Sequence, residues 1–232
     1  KSSGLSVQQQ MEISKEWEIV ENSLTNEQFW LMFNARGLED TPTRIDLLFA
    51  LVLQVSLRET KANPRIIFEK LDDDIHYNLE TIWDEVLQTY WWMQSCYSDI
   101  ELSNYLGWIR HFTDISATTI YNLWRKYPKH QDFKNCIIKT IQDTNFGGRK
   151  LLSLDDVSYA WDKGELRKLF VLLNILDCNK SNERFRFDLF DKCKGWDIEH
   201  IDSQTPNDFQ QDKNKTEWLT SAWNELDTNQ RS

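Results

Sequence analysis

Glu199 and His200 stand side by side in Trp196–Asp208, "WDIEHIDSQTPND". Both are residue types that could do chemistry. An imidazole titrates near neutral pH and can take a proton from an attacking water; a carboxylate can hold a cation or orient a neighbour. The segment alternates, with Trp196, Ile198 and His200 on one face and Asp197, Glu199 and Ile201 on the other. That is the period of a β-strand, on which adjacent side chains point to opposite faces. The pair therefore need not touch, but could flank one metal-bound phosphate if the strand floors a cleft. Spacing alone favours the plainer alternative, an acid and a histidine that happen to be neighbours on a solvated surface.

The remaining chemistry-bearing residues are more scattered. His76 follows an acidic run, "LDDDIH", His111 ends a predicted helix and His130 falls in a predicted loop; all three read as structural or exposed. "LDDD" lacks the spaced oxygen ligands of a calcium loop. "FGGRK" (146–150) lacks the full phosphate-loop pattern and reads as a turn with two solvated cations. Residues 125–150 carry Arg125, Lys126, Lys129, Lys134, Lys139, Arg149 and Lys150 against Asp132 and Asp143, a local charge of 7 − 2 = +5. This is the best nucleic-acid-facing candidate, with a solvated face as its alternative. The Trp-rich stretch 83–92 could stack bases, but core packing is the simpler account. Cys96, Cys136, Cys178 and Cys193 are too far apart for the paired ligands of a zinc site.

Elements able to position such residues must be helical. Gly (7) and Pro (4) are scarce among 232 residues, which disfavours a turn-rich β fold. Eleven Trp promise a core with many large aromatic anchors. A net charge of −10 gives no general affinity for phosphate backbones, so any nucleic-acid contact needs a local basic patch. No signal peptide is visible, and no apolar run reaches about 18 residues. With no cysteine framework either, a reduced, cytoplasmic setting and no membrane association are expected. The chain starts at Lys1, without Met, and reads as a piece of a longer protein.

Apolar periodicity predicts helices over 5–24, 26–33 (capped by Thr25), 45–57 (launched from Thr41-Pro42), 78–97, a helix capped by Ser98 with Glu101 three residues on, then 116–127, 131–144 and 166–176. After Asp177 the pattern changes. "RFRFDLF" (184–190) alternates like a strand, "WDIEHI" does so again, and 218–226 looks helical. The expected fold class is mainly α: a multi-helix, bundle-like domain over 1–177. A short β hairpin and a helix should follow over 178–232.

The sequence "WDIEHIDSQTPND" resembles the GmrSD-type restriction endonucleases, bacterial defence proteins with a ParB-like N-terminal part and an HNH-type (His-Me finger) nuclease module bearing a Glu-His-Ile signature. "EWEIVENSLTNEQFWLMFN", "TPTRIDLLFALV" and "LRKLFVLLNI…FRFDLF" resemble the helical region that leads to that module. The resemblance implies that 178–232 is the first part of an HNH-type module. His200 would be the general base, and Glu199 a ligand for a divalent cation, Mg²⁺ or Mn²⁺. Gln204 and Pro206 would shape the loop after the strand. DNA would be the substrate, and a nucleotide would be used by the ParB-like part. The family's "GNL…LL" stretch is missing, and Asn207, Asn214, Asn224 and Asn229 lack its context. The isolated chain is accordingly expected to be inactive. The alternative is a non-catalytic helical interaction or regulatory module between two active domains.

Overall fold

In a computed structural model of the chain, residues 6–34, 43–73, 79–146, 149–150 and 163–192 are described. All lie in one compact unit, Lys1–Trp196. It is mainly helical, as expected. The helices are α1 (Val7–Leu24), α2 (Glu27–Phe33), α3 (Asp46–Val52), α4 (Leu57–Ala62), α5 (Ile66–Asp73), α6 (Leu79–Ser98), α7 (Ile100–Phe112), α8 (Ala117–Lys126), α9 (His130–Gln142), α10 (Lys163–Lys180) and α11 (Phe187–Lys192). A two-residue antiparallel ladder, β1 (Asn145–Phe146) with β2 (Arg149–Lys150), pairs Asn145 with Lys150. None of the described helices is long and apolar enough to cross a membrane.

The helix boundaries follow from local capping. Ser6 and Gln9 form a reciprocal capping box at α1, Ser6 N–H donating to Gln9 Oε1 at 2.8 Å and Gln9 N–H to Ser6 Oγ at 3.2 Å. Asn26, not Thr25, caps α2: its Oδ1 accepts from the N–H groups of Gln28 (3.0 Å) and Phe29 (3.2 Å). Asp99, not Ser98, caps α7 by accepting from Leu102 N–H at 3.0 Å. Glu101 is thereby released from the expected capping box and accepts from the Tyr105 hydroxyl instead. α4 and α5, six and eight residues long, have no counterpart among the helices that the periodicity predicts, except that the start of α4 coincides with the end of the 45–57 segment.

α7 is the central element. Every residue from Leu102 to Arg110 is buried, so this helix has no solvent face over that span, the mark of a helix at the middle of a bundle. It packs against α2, α6, α9 and α10. Arg110 is held in this interior by donating from Nε to the Phe33 carbonyl at 2.8 Å and from Nη1 to the Ile115 carbonyl. Trp92 joins four helices: it stacks on Trp124 (4.6 Å between centroids, 11° between planes), meets Phe133 edge-on at 5.7 Å, and lies 5.2 Å from Phe33.

The alternating segment 184–190 corrects two expectations. It is not a strand, and the helical unit does not end at Asp177. α10 continues to Lys180, residues 183–186 have no regular secondary structure, and α11 then begins at Phe187. Phe185 and Phe187 are buried, in line with the alternation, but the third position of that face, Leu189, is exposed and Phe190 enters the core instead. The spacing has switched from 2 to 3, from strand to helix. A side chain does the work of a strand partner. Asn104 on α7 accepts from the Phe185 N–H at 2.9 Å and donates to the Glu183 carbonyl at 2.9 Å and to Asn179 Oδ1 at 2.7 Å. The backbone polar groups are satisfied without a sheet. Arg184 caps the arrangement: Nη1 donates to the Tyr97 carbonyl and to Ser103 Oγ, both at 2.8 Å, and its guanidinium lies 3.8 Å from the Tyr97 ring centroid. The second predicted strand (196–201) and the predicted helix 218–226 lie outside the described residues.

Candidate functional site

Glu199 and His200 lie outside the described residues, as do Gln204, Pro206, the four candidate asparagines, His76, Cys193 and the "FGG" glycines. The other predicted residues can be placed.

His111 is a packing residue whose side chain is 5% exposed. Its Nδ1 lies 2.6 Å from the Gly107 carbonyl, which can only accept, so the ring carries its proton on Nδ1. Its Nε2 approaches Asp191 Oδ1 at 3.4 Å, and the ring stacks on Phe187 at 4.5 Å. These contacts hold α11 onto α7.

His130 opens α9 rather than lying in a loop. Its Nε2 is 3.0 Å from Asp99 Oδ2, and its Nδ1 is 3.3 Å from Ser95 Oγ. Ser, His and Asp are the composition of a nucleophilic triad, but the geometry does not build one. Ser95 sits inside α6, where the surrounding backbone N–H groups are committed to the helix ladder. No oxyanion hole is formed there. Asp99 instead gathers cations and donors. Lys134 Nζ lies 2.9 and 3.1 Å from its two oxygens and 2.7 Å from Glu101 Oε2. Burial pushes the Asp99 carboxyl up; hydrogen bonds from His130, Leu102 N–H and Lys134, with the Lys134 charge, outweigh it and hold the group below its ordinary value. Burial acts to lower the Lys134 ammonium, but its hydrogen bonds to Glu101 and Asp99 and their charges hold it above its usual value. The cluster pins the start of α9 to the α6–α7 corner.

The basic segment divides. Lys134 is spent in that cluster. Arg125, Lys126 and Lys129 are exposed and carry no ion pair among the described residues. The side chains of Arg149 and Lys150 lie outside the described residues. The Trp-rich segment divides as well. Trp83, Tyr90 and Trp92 are core residues, whereas Trp91 is 60% exposed.

These two exceptions meet. Trp91, Trp92 and Ser95 of α6 line an open groove of about 400 Å³ together with Trp124, Pro128 and His130. The Arg125 guanidinium lies 6.0 Å from the Trp124 ring centroid at the same corner. The indole N–H of Trp92, in the groove wall, is buried without an acceptor. Sequence reading identified the aromatics and the cations separately but not their meeting, because nothing local pairs residue 91 with residue 124. Among the described residues no group of three or more His, Cys, Asp and Glu gathers to hold a metal ion.

No protein-family model, no curated protein and no solved structure matches this chain.

Proposed function

We propose that this chain is the helical body and first nuclease segment of a metal-dependent DNA endonuclease resembling the GmrSD type, acting in the cytoplasm in defence against modified or foreign DNA. The observation that carries the reading is the Glu199–His200 pair within "WDIEHIDSQTPND". Of the other three histidines, His111 is committed to packing α11 and His130 to joining Asp99, so neither offers an unengaged base, while His76 lies outside the described residues. In this reading His200 takes the proton from the attacking water. Glu199 would hold a divalent cation, which when bound neutralises charge on the scissile phosphate. A ParB-like part that uses a nucleotide belongs to the same proposal.

The test is DNA nicking in Mg²⁺ or Mn²⁺ by the full protein that contains this chain. His200→Ala should lower the rate by about 10²-fold or more, the usual scale of a general base, with helical content unchanged. Undiminished cleavage by that variant removes His200 from the chemistry.

A second reading, a non-catalytic helical module that links two active domains, is favoured by the buried aromatic network around Trp92 and the fully enclosed α7. It predicts a protein whose activity is indifferent to both Glu199 and His200.

A further inference from the structure

We propose that the groove between α6 and the α8–α9 corner binds unpaired nucleobases of a single-stranded nucleic acid, with Trp91 as the exposed stacking platform. The site takes nothing from Glu199 or His200; it rests on the nuclease reading only for the choice of DNA as the polymer.

Four observations converge. Trp91 leaves 60% of its surface in solvent on a helix whose neighbouring aromatics are buried. An exposed indole offers a flat, rigid face on which another ring can stack. Beside it in the groove lining is a stacked pair, Trp92 on Trp124, so planar rings make up much of that lining. The volume of about 400 Å³ is enough for a flat heterocycle to enter. Arg125, Lys126 and Lys129 flank groove residues Trp124, Pro128 and His130 in sequence, exposed and without ion pairs among the described residues.

Charge decides the occupant. The whole chain carries −10, so a polyanion is held only where cations concentrate. In sequence, Arg125, Lys126 and Lys129 stand against Asp132 around this corner, since Asp99 is already engaged by His130 and Lys134; of the three, Arg125 is seated beside a groove ring, 6.0 Å from the Trp124 centroid. An apolar protein segment would use the indoles and leave the cations idle. A paired duplex would use the cations and leave the indoles idle, because its bases are stacked on one another. Unpaired nucleotides use both, placing a π-face on Trp91 and a phosphate on each cation.

The experiment measures binding of the full 232-residue chain to a labelled oligothymidylate of about fifteen nucleotides, at about 50 mM salt. Anisotropy and tryptophan emission are both read. The oligonucleotide should bind and quench the emission. Trp91→Ala should weaken binding roughly ten-fold or more, and Trp91→Phe should restore most of it. Lys126→Gln with Lys129→Gln should flatten the salt dependence by about 1.4 in log–log slope, two phosphates' worth. An abasic deoxyribose-phosphate strand of equal length should bind more weakly than oligothymidylate.

Equal affinity for the abasic strand, indifference to Trp91→Ala, or no binding by the wild-type chain would each overturn the proposal. So would self-association in sedimentation that Trp91→Ala abolishes while oligothymidylate fails to bind; that result makes the groove a protein interface. His200→Ala should bind oligothymidylate as the wild type does. Failure of the nuclease reading therefore appears in the cleavage assay, and failure of the groove in the Trp91→Ala titration.

Discussion

Gly107 of α7 lies directly under the ring of Phe187, so that a Cβ added at Gly107 would stand 2.8 Å from Phe187 Cδ2, well inside carbon–carbon contact. The ring in turn stacks on His111 one turn further along α7. The absence of a side chain at position 107 is what lets α11 approach the central helix. A glycine in a helix interior costs about 1 kcal/mol relative to alanine, so its presence here needs a packing reason, and Phe187 supplies one.

Gly107→Ala should therefore destabilise the chain despite alanine's better helix propensity. The overpacking cost, about 1–3 kcal/mol, exceeds the propensity gain at its upper end and should lower the thermal midpoint by several degrees. Phe187→Leu in the same molecule should recover part of the loss. The pair should then be non-additive, as residues in contact are. A higher midpoint for Gly107→Ala alone would mean that α11 moves aside freely.

Asn104 is the second point where the sequence's strand-like segment is converted into something else. Its amide serves the Phe185 N–H, the Glu183 carbonyl and Asn179 at once, and it is 1% exposed. Asn104→Ala removes the partner of buried backbone groups and should cost about 1–3 kcal/mol in urea unfolding. The loss should fall locally as well as globally. Amide exchange at Phe185 should accelerate more than at Leu106, in the middle of α7. Uniform acceleration would mean that Asn104 supports only the core as a whole.

These two residues show what the sequence made legible and what it did not. The helical class and the positions of the longer helices were readable, because apolar spacing over three or more turns is a local property that core burial enforces. Cap identity shifted by one residue at Asn26 and Asp99, since neighbouring polar residues could serve equally well until tertiary contacts chose. Segment 184–190 reads as a strand because Phe185 and Phe187 do alternate. What overrode the alternation was an amide on a helix some 80 residues earlier in the chain. The Asp99–His130 contact and the Trp91–Trp124 groove are likewise products of packing between distant segments. The chemistry proposed for Glu199 and His200 was legible only through a signature.

Asp99 makes stability depend on pH in a predictable direction. Its carboxyl is held below the ordinary value in the folded chain. Its contribution is therefore present above the unfolded value of about 3.9 and is lost as pH falls through the folded value. Asp99→Asn keeps a competent cap for α7 but loses the charge that Lys134 and His130 meet. The variant should be less stable than wild type by about 1 kcal/mol at neutral pH, a scale set by a partly exposed ion pair. The gap should close in acid. Lys134, held above its usual value, acts at the other end: its contribution is full below about pH 10.4 and declines as pH rises through its folded value. A gap between wild type and Asp99→Asn that widened in acid would contradict this assignment.

Cys96 provides a test of the core between α6 and its neighbours. It is fully buried, and burial, followed by the Asp99 charge, pushes its thiol well above the ordinary value. The reacting species in alkylation is the thiolate, so two barriers coincide at this residue. In native conditions near pH 8, Cys96 should remain unlabelled while Cys136, which is partly exposed, takes up iodoacetamide. Cys178 should label more slowly than its exposure suggests, because burial and the charges of Glu183 and Asp177 push its thiol up. In denaturant all three should react. Asp99→Asn should not open Cys96 to rapid labelling, since burial is the larger cause and the variant leaves it in place. Peptide mass spectrometry over a labelling time course reads each site separately, and rapid native-state modification of Cys96 would show that the α6 core opens far more readily than its packing implies.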